Sequence, residues 1–240
     1  MADFRHAVLQ TDTLHSVETR IDSAEGPAGR LQLENLEIAS PSGRTHLQES
    51  HIEIRAGERV LISAESGAGK TLLFRTLAGL WLWGSGRIVR PQGEEMLYIP
   101  RYPYLPPATL RELLMAPNGA AALDAGVLTH ALTRAGLARL VPDLDTNARW
   151  DTRLSEEEQL GLAVARALAH APPWIIIDEL FDSLGQEPFD RLMQTLTTAL
   201  PHAAILYIGS RPGESRAFTR TLRLLSDPES RRLPRHAVAA

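Results

Sequence analysis

Apolar and polar positions along this chain follow two different periods. From Leu31 to Ile38 and from His46 to Ile54 they alternate, as in half-buried strands, with a turn at Pro41 to Gly43 between them. Val60 to Ile62, Met96 to Ile99 and Trp174 to Ile177 are short continuous apolar runs, the pattern of strands covered on both faces; Ala203 to Ile208 and Thr219 to Leu225 complete the expected strands. Helical spacing predicts helices over Thr71 to Leu80, from a Thr109 cap to Leu114, and over Ala121 to Ala135, Leu154 to His170 and Gln186 to Leu200. Phe4, Val8, Leu14, Val17 and Ile21 predict an amphipathic helix over 1–21, and Ser23 to Gly29, with Gly26 and Pro27, reads as a linker. No strand pattern falls between about 107 and 168. Strands alternating with helices predict an α/β fold with a mostly parallel sheet, a small antiparallel β subdomain from the early strands, and an all-helical subdomain.

The expected domains are therefore an N-terminal helix and linker over 1–30, a main domain over 31–230 with its helical subdomain at about 107–168, and a tail over 231–240. At 240 residues and 44% apolar content the chain can build a full core. The turn rich in glycine and tryptophan from Gly79 to Gly86 reads as core anchoring.

Charge and composition narrow the chemistry. A formal charge of −4 argues against a nucleic-acid partner, and the absence of cysteine removes disulfides and thiolate metal sites. No secretory signal is expected, since the first 20 residues carry charges throughout, and no run approaches 18 apolar residues, so this chain is not expected to span a membrane by itself. Of 25 cationic Lys+Arg side chains only Lys70 is a lysine. That bias towards arginine marks Lys70 as a position where a compact ammonium is needed.

Lys70 ends the stretch Ala64, Glu65, Ser66, Gly67, Ala68, Gly69, Lys70, followed by Thr71 and Leu72. This is a phosphate-binding loop, G-x-x-x-x-G-K-S/T, with its first glycine changed to Ala64. A strand before it and a helix after it aim backbone N–H groups and the positive end of a helix dipole at a phosphate. Such a loop works with Mg2+, which needs a carboxylate at the end of a neighbouring buried strand. Asp178, after Ile175 to Ile177, is placed for that, with the Thr71 hydroxyl as second metal ligand. Glu179 is the candidate catalytic group for polarising an attacking water. The bland alternative is that Asp178 and Glu179 merely cap the next helix.

These residues carry a resemblance. The chain resembles the nucleotide-binding domain of ATP-binding cassette (ABC) transporters, most closely subfamily D, the peroxisomal fatty-acyl transporters, and their bacterial fused permease–ATPase relatives. The wording LLFRTLAGLWLWGSGRI from Leu72 to Ile88, and PYLP from Pro103 followed by Thr109 to Arg111, resembles that subfamily's own. The likeness runs from about Leu31 to Leu225. It implies a P-loop NTPase (RecA-like) core, ATP and Mg2+ as ligands, a transmembrane permease domain as partner (fused upstream or separate), a homodimer or heterodimer with a second cassette, and a peripheral position on the cytoplasmic face of the inner or plasma membrane. Residues 1–21 would then be the connector from the membrane domain.

Several positions depart from the pattern. The family's magnesium-sensing glutamine is Arg101. Its L-S-G-G-E-Q signature is Leu154, Ser155, Glu156, Glu157, Glu158, Gln159. The D-loop aspartate position is Gly185, and the switch histidine is Ser210. No aromatic residue stands at Ala39 to Pro41, where many cassettes stack adenine. Independently of the family, Ser155 and Glu158 form a capping box, and the carboxylates beside them satisfy that helix's anion site from within. The resemblance therefore leaves two readings: an ABC transporter domain coupling ATP binding and hydrolysis to transport, or a catalytically degenerate ATP-binding module serving as a structural or regulatory partner. A soluble P-loop kinase is a more distant third, and the helical insertion counts against it.

Overall fold

The computed structural model describes residues 20–40, 43–115, 123–210 and 217–227. The expected helix over 1–21 and the 231–240 tail lie outside these, apart from Arg20 and Ile21. Among the described residues the strands are β1 (Asp22–Gly26), β2 (Arg30–Ser40), β3 (Gly43–Leu47), β4 (His51–Arg55), β5 (Arg59–Ser63), β6 (Gly84–Pro91), β7 (Met96–Ile99), β8 (Ala108–Thr109), β9 (Asn147–Ala148), β10 (Trp174–Asp178), β11 (Ala204–Gly209) and β12 (Arg220–Asp227). The α-helices are α1 (Lys70–Leu77), α2 (Leu110–Met115), α3 (Ala125–Arg134), α4 (Trp150–Arg153), α5 (Glu156–His170) and α6 (Gln186–Ala199).

Ten strands join in one sheet, ordered β1-β6-β2-β3-β12-β5-β11-β10-β7, with β4 on β2. Five of them, β12, β5, β11, β10 and β7, are parallel. Strand β12 changes partners along its length: Arg220 to Arg223 run parallel to β5, and Leu224 to Asp227 run antiparallel to β3. The antiparallel part is therefore continuous with the parallel part rather than a separate layer.

Side chains alternate across the parallel strands into two cores. One face, with Val60, Ile62, Trp174, Ile176, Leu206 and Ile208, packs on Leu73, Phe74 and Leu77 of α1. The other, with Leu61, Ile175, Ile177, Ile205 and Tyr207, packs on α5 and α6. A third core holds Leu110, Leu113, Leu128, Leu132 and Trp150 against Leu162, Ala165 and Ala169 of α5. Helix α5 is apolar on opposite sides because it is shared between the sheet and the helical layer, the condition under which a helix loses its single polar face. Trp81 packs against the first core and its indole N–H donates to the Ala39 carbonyl at 3.0 Å, so it anchors as expected.

Three sequence expectations are corrected. Residues Ser23 to Gly26, read as linker, lie in an edge strand, β1, parallel to β6. Its residues are exposed or half-exposed, so no apolar side chain marked it; only backbone pairing does. The single strand over His46 to Ile54 is two, β3 and β4, broken at Gln48 to Ser50. The segment 107–168, expected to be wholly helical, contains the short antiparallel pair β8 and β9.

Candidate functional site

The site forms where β5 and β10 end beside the start of α1. Strand β5 is fully buried at Val60, Leu61 and Ile62, which fixes where the loop Ala64 to Gly69 emerges. Gly67 and Gly69 have φ of 81° and 91°, in the left-handed region that glycine enters without steric cost. Gly69 is the N-cap of α1 and offers no side-chain cap, leaving that turn to the loop's own geometry. The Thr45 hydroxyl donates to the Ala68 carbonyl at 3.2 Å from beneath. Thr45 is a buried part of the loop's support that the sequence reading did not single out.

Lys70 is 6% exposed and surrounded by acceptors. Its ammonium donates to the carbonyls of Ala64 (3.3 Å) and Glu65 (3.1 Å) and to Ser210 Oγ (2.7 Å), and pairs with Glu179 Oε1 at 3.0 Å. The other oxygen of Glu179 pairs with Arg101 Nη1 at 2.9 Å. Arg101 is half-exposed and lies 5.3 Å over the Tyr102 ring. Glu179 itself has φ 46°, a left-handed conformation that is costly for a side-chain-bearing residue and is held here by its N–H donating to Ile208 O at 2.8 Å.

Asp178 closes β10 and is 1% exposed. Burial pushes the Asp178 carboxyl up to about 6, opposed chiefly by the neighbouring Thr71 hydroxyl. Its Oδ1 oxygen is buried without a hydrogen-bond partner. An orphaned carboxylate oxygen beside a threonine hydroxyl fits a small hard cation such as Mg2+, which takes one or two carboxylate or hydroxyl ligands and keeps the rest of its shell for water and phosphate.

The turn after Glu179 is fixed by Tyr207, whose hydroxyl accepts from Phe181 N–H (3.1 Å) and donates to Asp182 Oδ1 (2.7 Å); Asp182 Oδ2 accepts from Ser210 N–H (2.8 Å). Asp182 and Tyr207 were missed as site residues. The signal available was a lone phenol in the otherwise apolar run of β11.

The remaining positions singled out from sequence divide. Glu65, Ser66 and Ala68 line a cavity of about 600 Å³ with Ser210 and Ser226, whereas Gly67, Gly69 and Leu72 line another of about 300 Å³ with Arg44 and Asp227. Ser155 caps α5 in the expected box: its Oγ accepts from Glu158 N–H (3.3 Å), and Glu158 Oε2 accepts from Ser155 N–H (3.0 Å). Glu156 accepts from Ser183 Oγ at 3.0 Å and lines a small cavity with Arg101 and Glu179. Glu157 is exposed, 3.8 Å from Arg191. Gly185 is the N-cap of α6.

Residues 47–182 match the family model for the ABC transporter. The chain belongs to the ABC transporter family. An uncharacterized ABC transporter ATP-binding protein of Haemophilus influenzae is 34% identical over 177 residues, 74% of this chain and 30% of that protein. ABC transporter D family member 1 of Arabidopsis thaliana is 30% identical over 180 residues, 68% of this chain and 13% of that protein. This ABC chain thus spans less than a third of either relative. Among solved structures, a bacterial Atm1-family ABC exporter with ATP bound superposes with a TM-score of 0.64 at 21% identity, over 87% of this chain and 41% of that one, a likeness of fold. The fold is the P-loop NTPase fold of ABC nucleotide-binding domains, and the chain is an ABC ATP-binding domain.

Proposed function

We propose that this chain is the Mg-ATP-binding and slowly hydrolysing domain of a membrane transporter, working with a transmembrane permease domain and paired with a second ATP-binding cassette at the cytoplasmic face of the membrane. The observation that carries the reading is the cluster Lys70, Thr71, Asp178 and Glu179 at the mouth of the loop, with one Asp178 oxygen buried and unpartnered. Among the described residues no helix is long and apolar enough to cross a membrane.

In this proposal the backbone N–H groups of Gly67 to Thr71 and the Lys70 ammonium bind the β- and γ-phosphates. Thr71 and Asp178 hold Mg2+, which when bound neutralises phosphate charge. Glu179, released from Lys70 as the phosphates take the ammonium, accepts a hydrogen bond from the attacking water and orients it towards the γ-phosphorus. Hydrolysis is slow because Arg101 still engages that carboxylate, and because Glu157 presents negative charge at the start of α5.

Turnover of ATP by the chain and by Glu179→Gln, with nucleotide affinity measured alongside, tests this. The expected result is tight binding in both and a low turnover that disappears in the variant. Equal turnover in both would remove Glu179 from the chemistry, and no binding to either would remove the nucleotide from the site.

A further inference from the structure

Glu179 sits between two cations, and they are not equivalent. Lys70 is buried and belongs to the phosphate-binding loop; Arg101 comes from the segment after β7 and is 49% exposed. Counted as formal charges, Lys70 and Arg101 balance Asp178 and Glu179. A nucleoside triphosphate adds about four negative charges at neutral pH. Once its phosphates engage Lys70, Glu179 retains one cationic partner of the pair, Arg101. The guanidinium stays protonated at every pH the protein survives, carries five N–H donors, and has no lone pair with which to ligate a metal. It can therefore contribute charge and hydrogen bonds to the site, as a fixed cation, but cannot contribute a metal ligand.

We propose that Arg101 is a built-in counter-charge of the nucleotide site: paired with Glu179 through Oε2, it supplies part of the positive charge that a divalent ion otherwise brings to the triphosphate. The structural basis is the 2.9 Å Arg101–Glu179 pair on the carboxylate whose other oxygen lies 3.0 Å from Lys70. The side chain is half-exposed, so its field on phosphates bound beside Glu179 is screened but not abolished, and a charge neighbouring a bound polyanion shifts affinity by roughly ten- to hundred-fold. Binding of nucleotide by this chain should accordingly depend less on the divalent ion than binding by the same chain with a neutral residue at 101. The inference rests on the nucleotide reading of the site given above.

The test is equilibrium binding of ATP at constant ionic strength, in Mg2+ and in EDTA, to the unmodified chain, Arg101→Gln and Arg101→Lys. The readout is the ratio of the dissociation constant in EDTA to that in Mg2+. It is expected to be within about ten-fold for the unmodified chain, to remain so in Arg101→Lys, which keeps the charge, and to widen roughly ten- to hundred-fold in Arg101→Gln. Thermal melting of each variant checks that it is folded before binding is compared. The same ratio in Arg101→Gln as in the unmodified chain overturns the proposal while leaving the nucleotide reading intact. A widened ratio in Arg101→Lys equal to that in Arg101→Gln also overturns it, since geometry rather than charge would then be responsible. No binding by the unmodified chain even in Mg2+ overturns both.

Discussion

Lys70 Nζ and Glu179 Oε1 stand 3.0 Å apart with their side chains 6% and 10% exposed, so the proposed phosphate-binding ammonium and the candidate catalytic carboxylate are each other's partners. An incoming phosphate must compete with Glu179 for that ammonium. Glu179→Gln should therefore bind ATP about three- to ten-fold more tightly than the unmodified chain, even as turnover is lost, because the competitor has lost its charge. Isothermal titration measures this; weaker binding by the variant would contradict the competition. Lys70→Ala should lose binding by more than a hundred-fold, since the chain has no second lysine. Its stability should fall by only about 1–2 kcal/mol, less than for an abandoned buried charge, because Arg101 still partners Glu179.

Gly69 occupies a position where a β-carbon would lie 2.6 Å from Thr45 Oγ1, in a backbone conformation with φ 91°. Gly69→Ala should cost about 2–4 kcal/mol, part from the left-handed backbone and part from the clash. Thr45→Ala in the same chain removes the clash but not the backbone term, so the double variant should recover only part of the loss. Urea denaturation of the two single variants and the double measures the coupling; strict additivity would show that Thr45 does not press on the loop.

How much of this was legible in the sequence depends on how local each signal is. The loop strand, the Asp178 strand and the helices α5 and α6 were readable because apolar runs, helical spacing and a capping box act within a few residues. Strand β1 was not, because an exposed edge strand is defined by its partner, not by its own side chains. The break between β3 and β4 was hidden because Leu47 and Ile52, five residues apart, preserve the look of an apolar segment while changing which face it presents. The ion pairs of Glu179 join residues 109 and 78 positions apart, Lys70 and Arg101, and no local pattern announces them. The substitution at 101 was visible in the sequence, but its partner was not. Tyr207 was marked only as the lone phenol of β11; its partner was not, since only the fold brings Asp182 to its hydroxyl.

Asp178 gives the metal-free protein a pH dependence with a definite sign. Its folded pKa, about 6, lies above the ordinary aspartate value of 3.8 because burial disfavours the charged form. A raised carboxyl contributes stability that is present below the unfolded pKa and lost as pH rises through the folded one. In EDTA the chain should therefore lose on the order of 2–3 kcal/mol between about pH 4 and pH 6.5 from this group. Asp178→Asn should flatten that part of the profile and raise stability at pH 7. Melting temperatures across this range in both proteins measure it, and a parallel pH profile in the variant would show that Asp178 is not the titrating group. Mg2+ should restore stability to the unmodified chain at pH 7 but not to the variant.

In the proposed pairing with a second cassette, the start of α5 sets a limit. Its capping box is complete, Glu156 is engaged by Ser183 at 3.0 Å, and Glu157 is left with its side chain 57% exposed beside Arg191. In the proposed pairing this helix start would approach the phosphates held by the other cassette, and a carboxylate would face a polyanion. Like charges at about 4 Å repel by ~1 kcal/mol in bulk water and ~4 kcal/mol where solvent is partly excluded. Glu157→Gln removes the charge while keeping the helix, the box and the Ser183 contact. Glycine at both 156 and 157 removes two charges at a helix cost of about 1 kcal/mol each. Both variants should show an ATP-dependent doubling of mass by light scattering at concentrations where the unmodified chain stays monomeric, with the glutamine variant the cleaner of the two. A mass unchanged by ATP in both variants would mean that this charge is not what opposes pairing.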